Sequence, residues 1–349
     1  MSAMDGLRRP GVAPALAAAL LFGAGTPLAK WLLEVIDPWL LAGLLYLGSG
    51  AGLTVYRRLR HVPAARLPRN EVPWLVGAIV AGGMVAPVLL MVGLTAMPAS
   101  NASLLLNAEG ALTVLLAWFA FKENFDRRIA LGMVAILAGA VILSWPEEAR
   151  FDAVWPTLAV LGACFAWAVD NNLTRKVSLT DATWIAAVKG WTSGTVNLGL
   201  ALSLGAAVPA LPQLGGAIVV GVFAYGASLA LYVVGLRHLG TARTGAYFSV
   251  APFVGALLAV IMGESVTPAL LLAGALMGLG VWLHLTEHHE HEHLHPEMRH
   301  EHEHVHDEHH QHEHDAETPP GARHRHMHRH ERLTHAHPHY PDAHHRHRH

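Results

Sequence analysis

Long apolar runs, broken at regular intervals by short polar or basic stretches, fill residues 11 to 286. About 20 apolar residues, rising 1.5 Å each as a helix, cross the roughly 30 Å of hydrocarbon in a bilayer. Ten such segments fit, near 11–31, 38–56, 73–95, 98–121, 128–145, 154–175, 182–205, 213–236, 241–263 and 267–286. Runs this long and continuous predict helices, since strands of a membrane barrel alternate over about ten residues. The gap between the third and fourth segments is the shortest. Arg8 and Arg9 followed by an apolar run from Val12 have the outline of a secretory signal. No small-residue cleavage site with a soluble domain beyond it follows, so the first segment is expected to stay as a helix.

Polar punctuation also repeats. Residues 235–264 read GLRHLGTARTGAYFSVAPFVGALLAVIMGE, and residues 93–123 read GLTAMPASNASLLLNAEGALTVLLAWFAFKE. Both open with Gly-Leu, continue in small and hydroxyl residues and close with Glu, about 141 residues apart. Leu28-Ala29-Lys30 falls loosely against Leu173-Thr174-Arg175, and Asp37 against Asp181. The pattern implies a duplicated chain with five helices per half. Five is odd, so the halves enter the membrane from opposite sides, an inverted repeat of the kind that secondary transporters use to place a site between two halves.

Loop charge tests the count. With the N-terminus inside, fourteen basic residues fall on inner segments: Arg8, Arg9, Arg57, Arg58, Arg60, Arg66, Arg69, Lys122, Arg127, Arg128, Arg175, Lys176, Arg237 and Arg243. Arg150 alone falls outside, and Lys30 and Lys189 lie within spans. That asymmetry predicts ten spans with both termini cytoplasmic. Trp31, Trp39, Trp74, Trp118, Trp145, Trp155, Trp184 and Trp282 lie near predicted ends, where indole rings anchor at the interface, and only Trp167 and Trp191 lie deeper.

Composition agrees: 14% of the 349 residues are charged, against about 25% in soluble domains. Residues 1–286 hold 17 Lys/Arg and 13 Asp/Glu, whereas 287–349 hold 7 and 13. Body and tail are therefore different materials, net +4 and net −6. The expected divisions are a cytoplasmic N-terminus (1–10), a first five-helix repeat (11–145), an outer loop (146–153), a second repeat (154–286) and a tail (287–349). The single cysteine, Cys164, cannot form an internal disulfide.

Ten spans in a five-plus-five inverted repeat, with the fourth and ninth helices opening in small hydroxyl residues and ending in Glu, resemble the EamA-type drug/metabolite transporter superfamily. The resemblance covers residues 11 to 286. It is strongest at 235–264, where Pro252 and Gly263-Glu264 follow the family pattern. In the first copy Glu109-Gly110-Ala111 stands in place of the mid-helix proline. The resemblance implies an all-α membrane protein that transports small organic solutes without ATP hydrolysis, and names no substrate.

Several polar residues fall inside predicted spans, where a charge costs at least about 2.5 kcal/mol and must pair, be protonated or face a cavity. Glu109 is the sharpest, and Asn101, Glu109 and Thr113 recur at multiples of four, placing them on one helix face. The group could carry a coupling proton or a cationic substrate, or could serve as a packing hydrogen bond. Trp167, Asp170, Asn171 and Thr174 share a face of the sixth helix, with Asp170 able to pair with Lys189 or Lys30 or to reach water at the inner end. Lys189 lies two turns into its helix, a depth from which a lysine can snorkel; Lys30, beside Trp31 at the outer end, is blander. Tyr225, Ser228 and Tyr232 form a stripe suited to a pocket or to interhelical bonds, and Tyr247 joins the substrate-binding candidates. Pro27 and Pro87 free backbone carbonyls that then need partners. The glycines at 48–52 and 274–278 mark close helix packing. Glu123 and Glu264 are expected to fix loops.

In the tail, histidines alternate: His291, His293 and His295; His300, His302, His304 and His306; His324, His326, His328 and His330; then His335, His337 and His339. Neutral imidazole suits Zn, Ni, Co or Cu, and alternate spacing puts ligands on one side of an extended chain. The tail is expected to bind such ions, to require no other cofactor and to lack regular structure for want of apolar residues. A low-complexity solubilising tail with incidental metal affinity is the competing reading.

The function expected is secondary active transport of a small organic metabolite or drug, as an exporter in a bacterial inner (plasma) membrane, with the tail buffering or sensing metal. The alternative makes a transition metal the cargo and the tail its collector. The body argues against it, since His238 is the sole His between His61 and His284. The partners implied are the solute, the lipid bilayer and protons; a homodimer stays open and nucleic acid does not enter. No Ser/His or metalloprotease spacing suggests an enzyme.

Overall fold

The computed structural model describes residues 11–65, 67–121, 127–144, 151–178 and 180–285, together with 290–295, 298–304, 324–330 and 333–338. The chain divides into a helical unit and a tail unit that begins at His288. In the helical unit, α1 is Val12–Leu32, α2 Pro38–Leu59 and α3 Val72–Thr95. A broken pair follows, α4 Ala99–Leu105 and α5 Asn107–Phe121, then α6 Arg127–Ser144. The second half runs α7 Phe151–Val177, α8 Ala182–Ser203, α9 Leu211–Val220, a π-helical turn Gly221–Ala227, α10 Ser228–Phe248, α11 Ala251–Ile261 and α12 Pro268–Leu285.

Among the described residues four helices are long and apolar enough to cross a membrane: Val12–Leu32, Pro38–Leu59, Val72–Thr95 and Leu211–Leu239. Shorter apolar helices occupy Ala130–Leu143, Ala251–Ile261 and Pro268–Leu283. The difference from the ten expected segments has a physical cause. Breaks at Leu106 and at Ser249–Val250 divide the fourth and ninth segments, and α6 and α12 have 18 residues each. α7 and α8 are long enough but carry Asp170, Asn171, Asn172 and Lys189, which lower their apolar character.

Both halves use the same local devices. Asp37 begins α2 by accepting from the amides of Trp39 (2.9 Å) and Leu40 (3.1 Å), with Pro38 in the first turn, where its missing N–H costs nothing. Asp181 does the same for α8, accepting from the Trp184 amide at 2.7 Å. A π turn at Ile79–Val85 interrupts α3, and its counterpart Gly221–Ala227 lies 142 residues on. The eighth and ninth segments form a helical hairpin within α10. Tyr232 and Phe248 stack edge-on with centroids 4.8 Å apart, although sixteen residues of straight helix would separate them by about 24 Å.

The packing follows a pseudo-two-fold. α2 crosses α8 and α6 lies along α12, each a helix against its own counterpart, and α4 of the fourth segment meets α11 of the ninth. α1 packs on α10 and α11, as α7 packs on α3 and α5. At the α2–α8 crossing the backbones themselves touch: a Cβ on Gly50 would lie 2.7 Å from the Trp191 nitrogen, and one on Gly43 2.6 Å from that of Leu198. Without a hydrophobic force between helices in lipid, such close approach supplies the contact energy.

Polar contacts, some between the halves and some within one, close the ends. Arg57, at the end of α2, pairs with Asp181 and also donates to Thr183 Oγ1 at 2.6 Å. Arg237 donates to the carbonyls of Ser178 (3.2 Å) and Thr180 (2.8 Å). At the other end Glu264 accepts from the amides of Ala99 (2.7 Å) and Ser100 (2.8 Å), capping α4 from the opposite repeat. Its expected loop-fixing role is thus a specific helix cap, while Glu123 lies outside the described residues. Burial works against the charge of Asp181, but hydrogen bonds from Thr183, the Trp184 amide and Arg57 outweigh it and hold the carboxyl below its ordinary pKa.

The tail corrects an expectation. Instead of a chain without regular structure, it contains four strands, β1 Glu290–His295, β2 Met298–His304, β3 His324–His330 and β4 Leu333–Pro338. β1 pairs antiparallel with β4 and β2 with β3, so that His300 stands opposite His328 and His302 opposite His326. A sequence that alternates every second residue has the period of a strand, whatever its hydrophobicity. The side chains of His291, His293, His295, His300, His302, His304, His324, His326, His328 and His330, and all of His306, lie outside the described residues.

Two outcomes follow. Gly50→Leu should force α2 from α8 and lower stability by about 1–3 kcal/mol, read from thermal unfolding in detergent. Because the Asp181 pKa is depressed on folding, its contribution is present above the unfolded value and is lost as pH falls through the folded one; Asp181→Asn should flatten that part of the stability–pH profile.

Candidate functional site

The site begins with a proline. In α3, Pro87 has no N–H, so the Gly83 carbonyl four residues back loses its helical partner. The π turn adds to this, because the Ala86 amide bonds Ala81 and leaves the Gly82 carbonyl free as well. Side chains fill both vacancies. Tyr46 of α2 donates its hydroxyl to the Gly82 oxygen at 2.7 Å and Trp167 of α7 its indole N–H at 3.0 Å. Asn197 of α8 donates to the Gly83 oxygen at 3.2 Å. The expectation that Pro87 would free carbonyls needing partners is met by three different helices.

The same turn makes room for a buried ion pair. Gly82 faces Asp170, and a Cβ there would collide with the carboxylate. Lys189 Nζ lies 2.5 Å from Asp170 Oδ1 and 2.7 Å from Oδ2, and Thr174 donates to Oδ1 at 2.7 Å. Lys189 is fully buried and Asp170 is 4% exposed. Lys189 therefore does not snorkel, and Asp170 does not reach water. Lys30, the other partner considered, instead donates to the Leu94 carbonyl at 2.5 Å. A buried pair adds little net stability, but removing one member strands the other charge.

Glu109 sits beside this pair in a different state. The break at Leu106 places it in the first turn of α5, where the helix dipole favours a carboxylate. Asn171 Nδ2 donates to Glu109 Oε1 at 2.8 Å and is 3.3 Å from Thr113 Oγ1, while Asn172 holds the Thr113 carbonyl at 3.1 Å. The ion pairs among the described residues are Arg57–Asp181 and Lys189–Asp170. Glu109 is in neither.

These groups line a cavity at the seam of the two halves, with an empty volume of about 470 Å³ that is partly open. Six aromatic rings form much of its wall. Phe22 of α1 is the hub, with centroids 5.6 Å from Trp167, 6.0 Å from Tyr225 and 5.3 Å from Phe248. Tyr46 lies 5.4 Å from Tyr225, and Tyr232 completes the set against Phe248. Ser228 also lines the cavity but donates to the Ala18 carbonyl at 2.9 Å. A second cavity of about 360 Å³, holding Thr113 and Pro252, shares Glu109, Asn171, Tyr232, Phe22 and Phe248 with the first.

Of the sequence candidates, Glu109, Asp170, Asn171, Tyr225, Ser228 and Tyr232 meet in one cavity, Thr113 lies in its neighbour and Lys189 stands behind Asp170. Asn101 and Tyr247 line neither. The break at Leu106 interrupts the face that Asn101 was expected to share with Glu109, and Tyr247 packs with Val12, Ala15 and Leu239. Phe22, Tyr46 and Phe248 were missed, because aromatic residues in an apolar run carry no signal of which way they face. Asn197 could have been found, as a polar residue deep in a span on the Lys189 face. Among the described residues no group of three or more His, Cys, Asp or Glu is placed to hold a metal.

The sequence model of the EamA-like transporter family matches residues 9–145 and 154–286. A Methanothermobacter thermautotrophicus protein named an uncharacterized transporter is 30% identical over 290 residues, covering 77% of this chain and 84% of its own. A Salmonella typhimurium protein named a probable amino-acid metabolite efflux pump is 27% identical over 164 residues, 47% of this chain and 52% of that protein. A solved structure described only as the crystal structure of a protein shares the fold, with a TM-score of 0.64 and 20% identity over 79% of this chain and 96% of its own.

Asp170→Asn or Lys189→Met alone should cost about 3–5 kcal/mol by leaving one charge buried and unpaired, whereas the double variant should recover most of that loss. Unfolding of the three variants in detergent reads the cycle, and additive losses would show that the two charges do not interact.

Proposed function

The chain belongs to the EamA-like transporter family, and on that premise we propose that it is a secondary transporter that moves a small organic solute by alternating access. The observation that carries this reading is the aromatic cavity at the seam. Phe22, Tyr46 and Glu109 come from one repeat and Trp167, Asp170, Tyr225 and Tyr232 from the other. A site whose walls belong to two repeats opens to one side and then the other as the repeats rock.

In this reading all ten segments span the membrane as a five-plus-five inverted repeat, with the broken α4/α5 and α10/α11 each making one crossing. The distribution of basic residues supports a reading with both termini in the cytoplasm, of a bacterial cell with the protein in its inner membrane. Export is favoured by the name of the Salmonella typhimurium relative, a probable efflux pump. The transported solute would exchange for a proton at Glu109, whose charged and titratable neighbours are Asp170, the Lys189 behind it, Cys164, and the hydroxyls of Tyr46, Tyr225 and Tyr232. The tail would bind transition metals as a buffer or a sensor beside this machinery. The rival in which a metal is the cargo has no observation in the helices behind it.

Glu109→Gln keeps an oxygen for Asn171 but cannot carry the exchanged proton. It should abolish solute flux driven by a pH gradient in reconstituted vesicles, and wild-type rates from that variant would remove the proton role. Deleting residues 288–349 should leave flux unchanged while lowering metal tolerance if the tail buffers; flux that no longer responds to added Zn would instead mark it as a sensor.

A further inference from the structure

Resting on the transport reading, a finer property of the same cavity follows from its charges. We infer that it takes a small organic ammonium ion bearing one positive charge and no carboxylate, with Glu109 as the counter-ion and the six rings as walls.

The charge count comes first. Two carboxylates line the cavity, and no Lys, Arg or His does so among the described residues. Asp170 is already neutralised, since both its oxygens face Lys189 Nζ and one also receives Thr174. Lys189 is equally committed, with Thr174 Oγ1 3.3 Å away as a further contact. Among the described residues lining the cavity, only Glu109 can bring a charge without a cation, and once it has given up its proton that one charge sets the charge of what binds. A dication would be undercompensated in a low-dielectric site, and an anion would meet repulsion.

The hydrogen-bond donors point the same way. Tyr46 and Trp167 give their protons to the Gly82 carbonyl, Ser228 gives its own to Ala18, and Asn171 gives to Glu109 and Thr113. A substrate carboxylate would find those four donors occupied by the backbone repair at Pro87, by Ala18 and by the Glu109 clamp, which leaves it the hydroxyls of Tyr225 and Tyr232. An ammonium group needs acceptors and π-faces instead. Rings linked at 4.8 to 6.0 Å through Phe22 supply the faces, and cations are held over such rings when desolvated. An amino acid with its carboxylate free is thus a poorer fit than an amine of the same shape.

Three probes that share a phenyl ring and a short chain separate charge from size: phenethylamine (cation), phenylalanine (zwitterion) and 3-phenylpropionate (anion). Binding to the purified full chain in detergent is read calorimetrically, with unfolding curves confirming that variants are folded. Phenethylamine should bind at least about tenfold more tightly than either other probe, and Glu109→Gln should weaken it by at least about tenfold. Equal or tighter binding of phenylalanine or 3-phenylpropionate overturns the inference, as does binding of none at millimolar concentration or amine binding indifferent to Glu109→Gln. If that variant does not fold, the three-probe order on the wild-type chain decides. Glu109-dependent amine binding with no flux in vesicles would instead overturn transport and leave the charge selection standing. Phenylalanine flux above that of phenethylamine would do the reverse.

Discussion

A carbonyl inside a membrane-crossing helix has no water to turn to, so a helix that loses a donor must be repaired by its neighbours. Pro87 creates that debt in α3, and the π turn at Ile79–Val85 doubles it by releasing Gly82 as well as Gly83. Tyr46, Trp167 and Asn197 settle it from α2, α7 and α8. Those three bonds fix which faces of three helices turn inward. Gly82, lacking a side chain, then leaves the space in which Asp170 meets Lys189. The site is in this sense a consequence of one missing N–H.

The repeat supplies symmetry and the site departs from it. The π turns 142 residues apart, the paired Asp caps and the breaks within the fourth and ninth segments are common to both halves. At the first turn after the break, the second half carries Pro252, which suits a helix start. The first half carries Glu109 at the corresponding turn. One copy thus spends this position on geometry and the other on charge. Likewise Asp170 and Lys189 have no charged partners in the first repeat that form an equivalent pair among the described residues.

The two ends of the molecule differ in chemistry too. Arg57 with Asp181 joins the halves at one end, and Arg237 there ties the Ser178 and Thr180 carbonyls within the second half. At the other, Glu264 reaches two backbone amides of α4. The Arg237 contacts lie within the second repeat, but the Arg57–Asp181 and Glu264 contacts cross between repeats, so they must loosen if the repeats rock. Contacts of this kind, partly hydrated and worth little individually, are suited to being broken in turn, whereas the glycine-lined α2–α8 crossing is not.

Much of this was legible in the sequence for a simple reason: burial in lipid imposes long apolar runs, and duplication leaves copies of the same punctuation. The helical class, the two repeats, the membrane setting and the placing of Glu109, Asp170 and Asn171 within helices, where polar groups are costly, could all be read in this way. What a one-dimensional pattern could not fix was direction. The break at Leu106 took Asn101 off the Glu109 face, and Lys189 was as free to snorkel as to pair until the fold put Asp170 at 2.5 Å. Phe22, Tyr46 and Phe248 were indistinguishable from lipid-facing aromatics until their helices were rotated into place. The alternating tail likewise carried the strand period in its sequence, but only the structure paired β1 with β4 and β2 with β3. Sequence sets which groups must be satisfied; tertiary structure decides which neighbours satisfy them, because that depends on helix rotation, which apolar composition leaves undetermined.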